Sequence, residues 1–90
     1  NSLLKKLPDW RCNAKQTQLK ACFDQPDYIS GLVFIARIAV HAELQHHHPD
    51  IRYTFNAVTV ILTTHDADGL TAKDTKLAAT ISKLANSKHS

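Results

Sequence analysis

Residues 46 to 66 read HHHPDIRYTFNAVTVILTTHD, and the element boundaries of the chain follow from them. Pro49 cannot continue a helix and biases the residue before it toward extended backbone, so a helix arriving at the histidine run ends there. Beyond it Ile51, Tyr53 and Phe55 alternate with Arg52 and Thr54, and Val58, Val60, Leu62 and Thr64 alternate with Thr59, Ile61 and Thr63. Alternation on both sides of Asn56 predicts a β-hairpin that turns at that residue. This hairpin runs out from Pro49 and back to Thr64, so both its ends, and with them His47, His48 and His65, are expected at one edge of a sheet.

Working back toward the N-terminus, FDQPDYISG carries helix-start signals: Asp24 or Gln25 as cap, Pro26 at the first helical position, Asp27 complementing the positive end. The spacing predicts a helix from about Pro26 to His46. Its apolar residues fill two opposite stripes: Ile29, Leu32, Val33, Ala36 and Val40 on one, and Gly31, Phe34, Ile35, Ile38 and Ala42 on the other. One stripe can cover a sheet and the other needs a partner. The second is read here as the subunit interface, because so short a chain has no spare element to cover it.

Before that helix, a short strand is expected over Trp10 to Ala14. Thr17 to Phe23 places Leu19, Ala21 and Phe23 on one face and Gln18, Lys20 and Cys22 on the other. A tight turn at Lys15-Gln16 would set Cys12 opposite Leu19 and Cys22 opposite Asp9. The two thiols are then out of register for a disulfide and are expected to be free, in a reducing compartment. After the hairpin, Thr71 to Asp74 has the T-x-x-D form of a capping box, and Leu77, Ala78, Ile81, Leu84 and Ala85 follow at helical spacing. The order β-β-α-β-β-α predicts an α+β fold, a four-stranded antiparallel sheet with helices packed on one face.

Ninety residues make one domain, 1–90, and 43% apolar against 21% charged residues is a globular composition. The net charge of +3 comes from scattered lysines, so no nucleic-acid stripe is expected. Ile29 to Val40, the longest mainly apolar stretch, is far too short to span a bilayer. NSLLKKLPDW lacks the pattern of a secretory signal, and a cytoplasmic location is expected.

Three chemistries compete for His46-His47-His48. A solvated helix end suits one histidine, since the imidazolium favours the negative end of the helix dipole. Convergence on a metal ion is disfavoured, because successive helical residues point about 100° apart, and no Asp, Glu or Cys partners stand at ligand spacing. Acid–base catalysis at the helix–sheet junction is the third, with His65 brought to the same pocket. Imidazole changes charge near neutral pH, with an ordinary pKa of about 6.5, so such a cluster can hold one acid and one base.

The segments E-L-Q-H-H-H-P-D-I, F-N-A-V and L-T-T-H-D-A-D-G-L-T-A-K-D closely resemble the pterin-4a-carbinolamine dehydratases. The family signature is a Glu, then His-His-Pro, an aromatic, a later His and a final Asp. Those positions here are Glu43, His47-His48-Pro49, Phe55, His65 and Asp74. Trp10 and the stretch FDQPDYISGLVFIARIAVHAE are also similar to the family's hairpin and long helix, so the resemblance covers most of the chain. Ile51 departs from the pattern where many members carry an aromatic, and Asp68 stands where a small residue is common. The family's N-terminal helix is expected to be mostly absent, with SLLKKLP remaining.

The resemblance implies dehydration of 4a-hydroxytetrahydropterin to quinonoid dihydropterin, without metal or redox cofactor. It implies His47 as leading proton donor to the departing hydroxyl and His65 as its acid–base counterpart, roles that could be exchanged. His48 and Pro49 would position the pterin, with Thr64, Asp66, Asp74 and Glu43 also at the substrate. Asp74 has a structural explanation as a helix cap beside this one. His46 lies outside the matching pair and, with His41 and His89, is read as a surface residue. A homodimer or homotetramer through the long helix and sheet edge is expected, with no nucleic acid and no membrane as partner. The competing reading is an oligomeric interaction protein, since animal members also stabilise a transcription-factor dimer.

Overall fold

The computed structural model describes residues 9–15, 17–63, 70 and 72–86. Six elements follow in chain order: β1 (Arg11–Cys12), β2 (Gln18–Asp24), α1 (Tyr28–Leu44), β3 (Asp50–Thr54), β4 (Ala57–Thr63) and α2 (Ala72–Asn86). The strands form one antiparallel sheet in the order β1-β2-β4-β3. The fold is therefore the expected β-β-α-β-β-α arrangement, with both helices contributing to the core on one face of the sheet.

Register decides which residues look at the helices. Leu19, Ala21 and Phe23 of β2 stand opposite Leu62, Val60 and Val58 of β4, and all six are buried. Gln18, Lys20 and Cys22 take the other face, as the alternation predicts. Cys12 pairs with Leu19, the register expected from the tight turn, and both cysteines are free thiols. Asn13 fastens that turn: its Oδ1 accepts from the Thr17 and Gln18 backbone N–H groups at 2.8 and 3.0 Å. Trp10 closes the sheet end of the core, its ring edge-on to Phe23 and its indole N–H donating to Ser82 Oγ at 2.8 Å.

The long helix differs from expectation at both ends. Its N-cap is Asp27, whose Oδ1 accepts from the Ser30 N–H at 2.8 Å, and neither Asp24 nor Gln25 caps it. Gln25 is engaged elsewhere: its N–H donates to the Asn56 carbonyl at 2.8 Å, and Asn56 Nδ2 donates to its carbonyl at 2.6 Å. The chain is thereby tied to the β3–β4 turn, and Pro26 lies outside the helix. The Ser30 backbone N–H, and after it the Ser30 side chain, hold the Asp27 carboxyl below its ordinary value. A lowered folded-state pKa means that this cap supports the helix above the unfolded carboxylate range and fails as pH falls through the folded one.

The faces of α1 are exchanged relative to the sequence reading. Gly31, Phe34, Ile38 and Ala42 are the buried stripe, packed into the core, with Ile35 partly buried beside them. Ile29, Leu32, Val33 and Val40 are the exposed one, together with Tyr28 and Leu44. The physical reason lies at Gly31. The Tyr53 ring from β3 occupies the space a side chain there would take, held by a hydrogen bond from its hydroxyl to the Tyr28 carbonyl and by stacking on Tyr28 at 4.9 Å. Only the stripe containing glycine can approach the sheet this closely. Gly31→Ala would drive Cβ into the tip of the Tyr53 ring, which must swing off Tyr28 and give up its hydroxyl bond; that loss of about 0.5–1.5 kcal/mol is set against about 1 kcal/mol that alanine gains over glycine within a helix. The ring-proton chemical shifts of Tyr28 and Tyr53 check it, and unchanged stacking in the variant would contradict the contact.

Phe55 also departs from its expected place in line with Ile51 and Tyr53. It occupies the two-residue connection between the paired Thr54 and Ala57, with φ of 62° and 86% exposure.

Candidate active site

The histidine run sits on the C-terminal turn of α1, and the way that helix ends sorts the three side chains. Gln45 is the C-cap; the His46 N–H donates to the Glu43 carbonyl at 3.2 Å and the His47 N–H to the Ala42 carbonyl at 3.0 Å. These are the two bonds of a Schellman motif, which requires a left-handed residue at the position after the cap. His46 fills it with φ of 53° where glycine or asparagine is usual. The reversal leaves His46 exposed and aims its two neighbours differently.

His47 turns inward. Its Nε2 lies 2.6 Å from Oδ1 of Asp74, whose side chain is fully buried in the first turn of α2, and the His47 side chain is only 12% exposed. His48 turns outward, with Nε2 3.0 Å from Glu43 Oε1, both side chains mostly exposed. Pro49 follows and β3 begins at Asp50, opposite Ile61 of β4. That register returns β4 to the histidine end of the sheet at Thr63. Thr64, His65 and Asp66, expected here, lie outside the described residues, as does Thr71 of the expected capping box.

The inner pair has definite chemistry. A carboxylate oxygen accepts only, so Nε2 carries the proton in the His47–Asp74 bond and Nδ1 is the nitrogen left to act on a ligand. A carboxylate without exposure is tolerated because it is paired and stands at the positive end of a helix dipole. The outer pair, in water, holds His48 against the end of α1 with little energy of its own. Among the described residues, no three His, Cys, Asp or Glu side chains converge in a way that could hold a metal ion.

Asp74, which the sequence allows both as a helix cap and at the site, lies in the first turn of α2 and is buried against His47. Gln45 was missed altogether. Gln45 stands seven residues after the buried Ile38, on the core side of the helix, a side that the spacing of α1 alone does not identify. Its Nε2 donates to Thr80 Oγ1 of α2 at 3.2 Å.

The helix-covered antiparallel sheet matches the pterin dehydratase fold of solved structures. The crystal structure of a transcriptional coactivator/pterin dehydratase from Brucella melitensis superposes with a TM-score of 0.89 at 30% identity, covering 96% of this chain and 92% of that one. A pterin dehydratase-like protein identified as a RuBisCO assembly factor in the alpha-carboxysome shares the fold, with a TM-score of 0.75 at 24% identity over 87% of this chain and 90% of that one. The chain belongs to the pterin 4 alpha carbinolamine dehydratase family, whose model matches residues 1–84. Among its relatives, proteins named "Putative pterin-4-alpha-carbinolamine dehydratase" are 44% identical in Cyanothece sp. (94% of this chain, 86% of that protein) and 40% identical in Rhodospirillum rubrum (86% and 80%).

Proposed function

We propose that this chain, as one dehydratase domain, converts 4a-hydroxytetrahydropterin to quinonoid dihydropterin by histidine acid–base catalysis and so supports recycling of a reduced pterin. The observation that carries the reading is the buried Asp74 carboxylate 2.6 Å from His47, in a chain of this family. Breaking the C4a–O bond releases hydroxide, a poor leaving group, unless a proton arrives at the oxygen. His47 Nδ1 supplies it while Asp74 keeps the ring oriented and stabilises the charge on it in the protonated state. A base takes the proton from N5, the C4a–N5 double bond forms, and water leaves; no electrons are exchanged. His65 is the proposed base, the two roles being exchangeable, with Thr64 and Asp66 beside it. His48, steadied by Glu43, positions the pterin against Pro49.

The proposed setting is a cytoplasmic homo-oligomer, dimer or tetramer, assembled through α1 and the sheet edge. No helix among the described residues is long and apolar enough to cross a membrane. In support of self-assembly, Ile29 and Leu44, and Val33 and Val40, stand at equal distances from the middle of the exposed stripe, between Ala36 and Arg37. An antiparallel copy of α1 therefore meets the same residues in reverse, as a two-fold interface requires. The same stripe supports a second reading, an interaction protein that offers this face to a different partner. The deciding assay follows the disappearance of chemically generated 4a-hydroxytetrahydropterin with and without the protein. Acceleration is expected, and a rate equal to the uncatalysed one would leave the interaction reading.

A further inference from the structure

We infer that Gln45 is a positioning residue: its side-chain amide, bonded to Thr80, sets the register of α2 against the end of α1 and so holds Asp74 where His47 reaches it. The role of His47 in this inference rests on the proposed function; the register does not.

Gln45 to Thr80 and His47 to Asp74 are polar links that join the end of α1 to α2. Six residues separate their α2 ends, about 9 Å along the helix. One link would let α2 pivot or slide about it, whereas two fix both movements. Ile38 and Ala42 of α1 and Leu77, Ala78 and Ile81 of α2 all lie in the core cluster. Apolar contact opposes separation strongly but a slide of a fraction of an ångström only weakly, because it is not directional. The Gln45 bond is directional.

The Thr80 hydroxyl donates to the Lys76 carbonyl at 3.0 Å and accepts from Gln45 Nε2 at 3.2 Å. Gln45 Oε1 then points into the interior, buried and with no hydrogen-bond partner among the described residues. An unsatisfied buried carbonyl oxygen opposes folding. Methionine, of similar length and without that oxygen, would suit stability better.

The test compares the full chain with Gln45→Met, Thr80→Val and Thr80→Ser. Three quantities are read: the thermal midpoint, kcat and KM for 4a-hydroxytetrahydropterin, and the low-field proton resonance of the His47 ring N–H bonded to Asp74. Gln45→Met is expected to melt at or above the parent midpoint. Its kcat should fall about 10- to 100-fold, as for a misplacement of 1 Å or less, with KM nearly unchanged and the ring resonance shifted or broadened. Thr80→Val should lower kcat and move the resonance alike but melt below the parent, because it leaves the whole Gln45 amide unpaired, and Thr80→Ser, which restores the hydroxyl, should behave like the parent. Parent kcat with an unmoved resonance in Gln45→Met would overturn the inference. So would a kcat loss that merely tracks a lost folded fraction. If the parent itself fails to dehydrate the pterin, the proposed function falls, and the ring resonance alone decides whether Gln45 sets the register.

Discussion

Ile38→Asp is expected to unfold the chain, and Val40→Asp to leave it folded and break up the proposed homo-oligomer. Ile38 has no exposure, whereas Val40, two residues along the same helix, is 58% exposed. Truncating a buried isoleucine costs about 2–5 kcal/mol. An unpaired buried carboxylate adds several kcal/mol more, against a total stability of about 5–15 kcal/mol for a natural domain, and a small one sits at the low end. At Val40 a carboxylate reaches water, and a surface change of this kind moves monomer stability by about 0.5 kcal/mol or less. Within a helix–helix seam the same carboxylate would be desolvated and would oppose association. Circular dichroism and sedimentation velocity on both variants check the pair. A folded, monomeric Ile38→Asp beside an unchanged Val40→Asp would return the buried face to the other stripe.

That exchange of faces marks where the sequence stops being decisive. Strand pairing was legible because it is local: two residues per repeat and a tight turn suffice to put Cys12 opposite Leu19, and they do. Helix burial was not, because both stripes of α1 have the same spacing and comparable apolar content. The choice is made by Tyr53, 22 positions beyond Gly31, whose ring needs the glycine's missing side chain. Phe55 was misplaced for a related reason, since alternation continues through a turn on paper while φ of 62° takes the residue out of the strand. In the site, the helix stop at Pro49 and the family pattern marked His47, His48, Glu43 and Asp74. What they left open was direction. The left-handed turn at His46 decides that His47 looks inward and His48 outward, and such a turn at a histidine follows from no propensity.

Direction is also what makes the His47–Asp74 pair testable as a unit. His47→Gln is the informative change, because an amide N–H can still donate to the buried Asp74 carboxylate while nothing at that position can carry a proton to a leaving hydroxyl. Folding is therefore expected to survive, and kcat to fall about 10²- to 10⁴-fold, the usual range for removing a positioned acid. Asp74→Asn in the parent should also lower kcat, by letting the imidazole take the wrong tautomer or orientation, with KM changed far less. Added to His47→Gln, however, Asp74→Asn should do nothing further to kcat, since it has no imidazole left to orient. Uncatalysed dehydration sets the floor for both. Steady-state kinetics on the four proteins of this cycle separate the cases. Fully multiplicative losses would mean that Asp74 acts on the pterin by itself, and an active His47→Gln would remove His47 from proton transfer altogether.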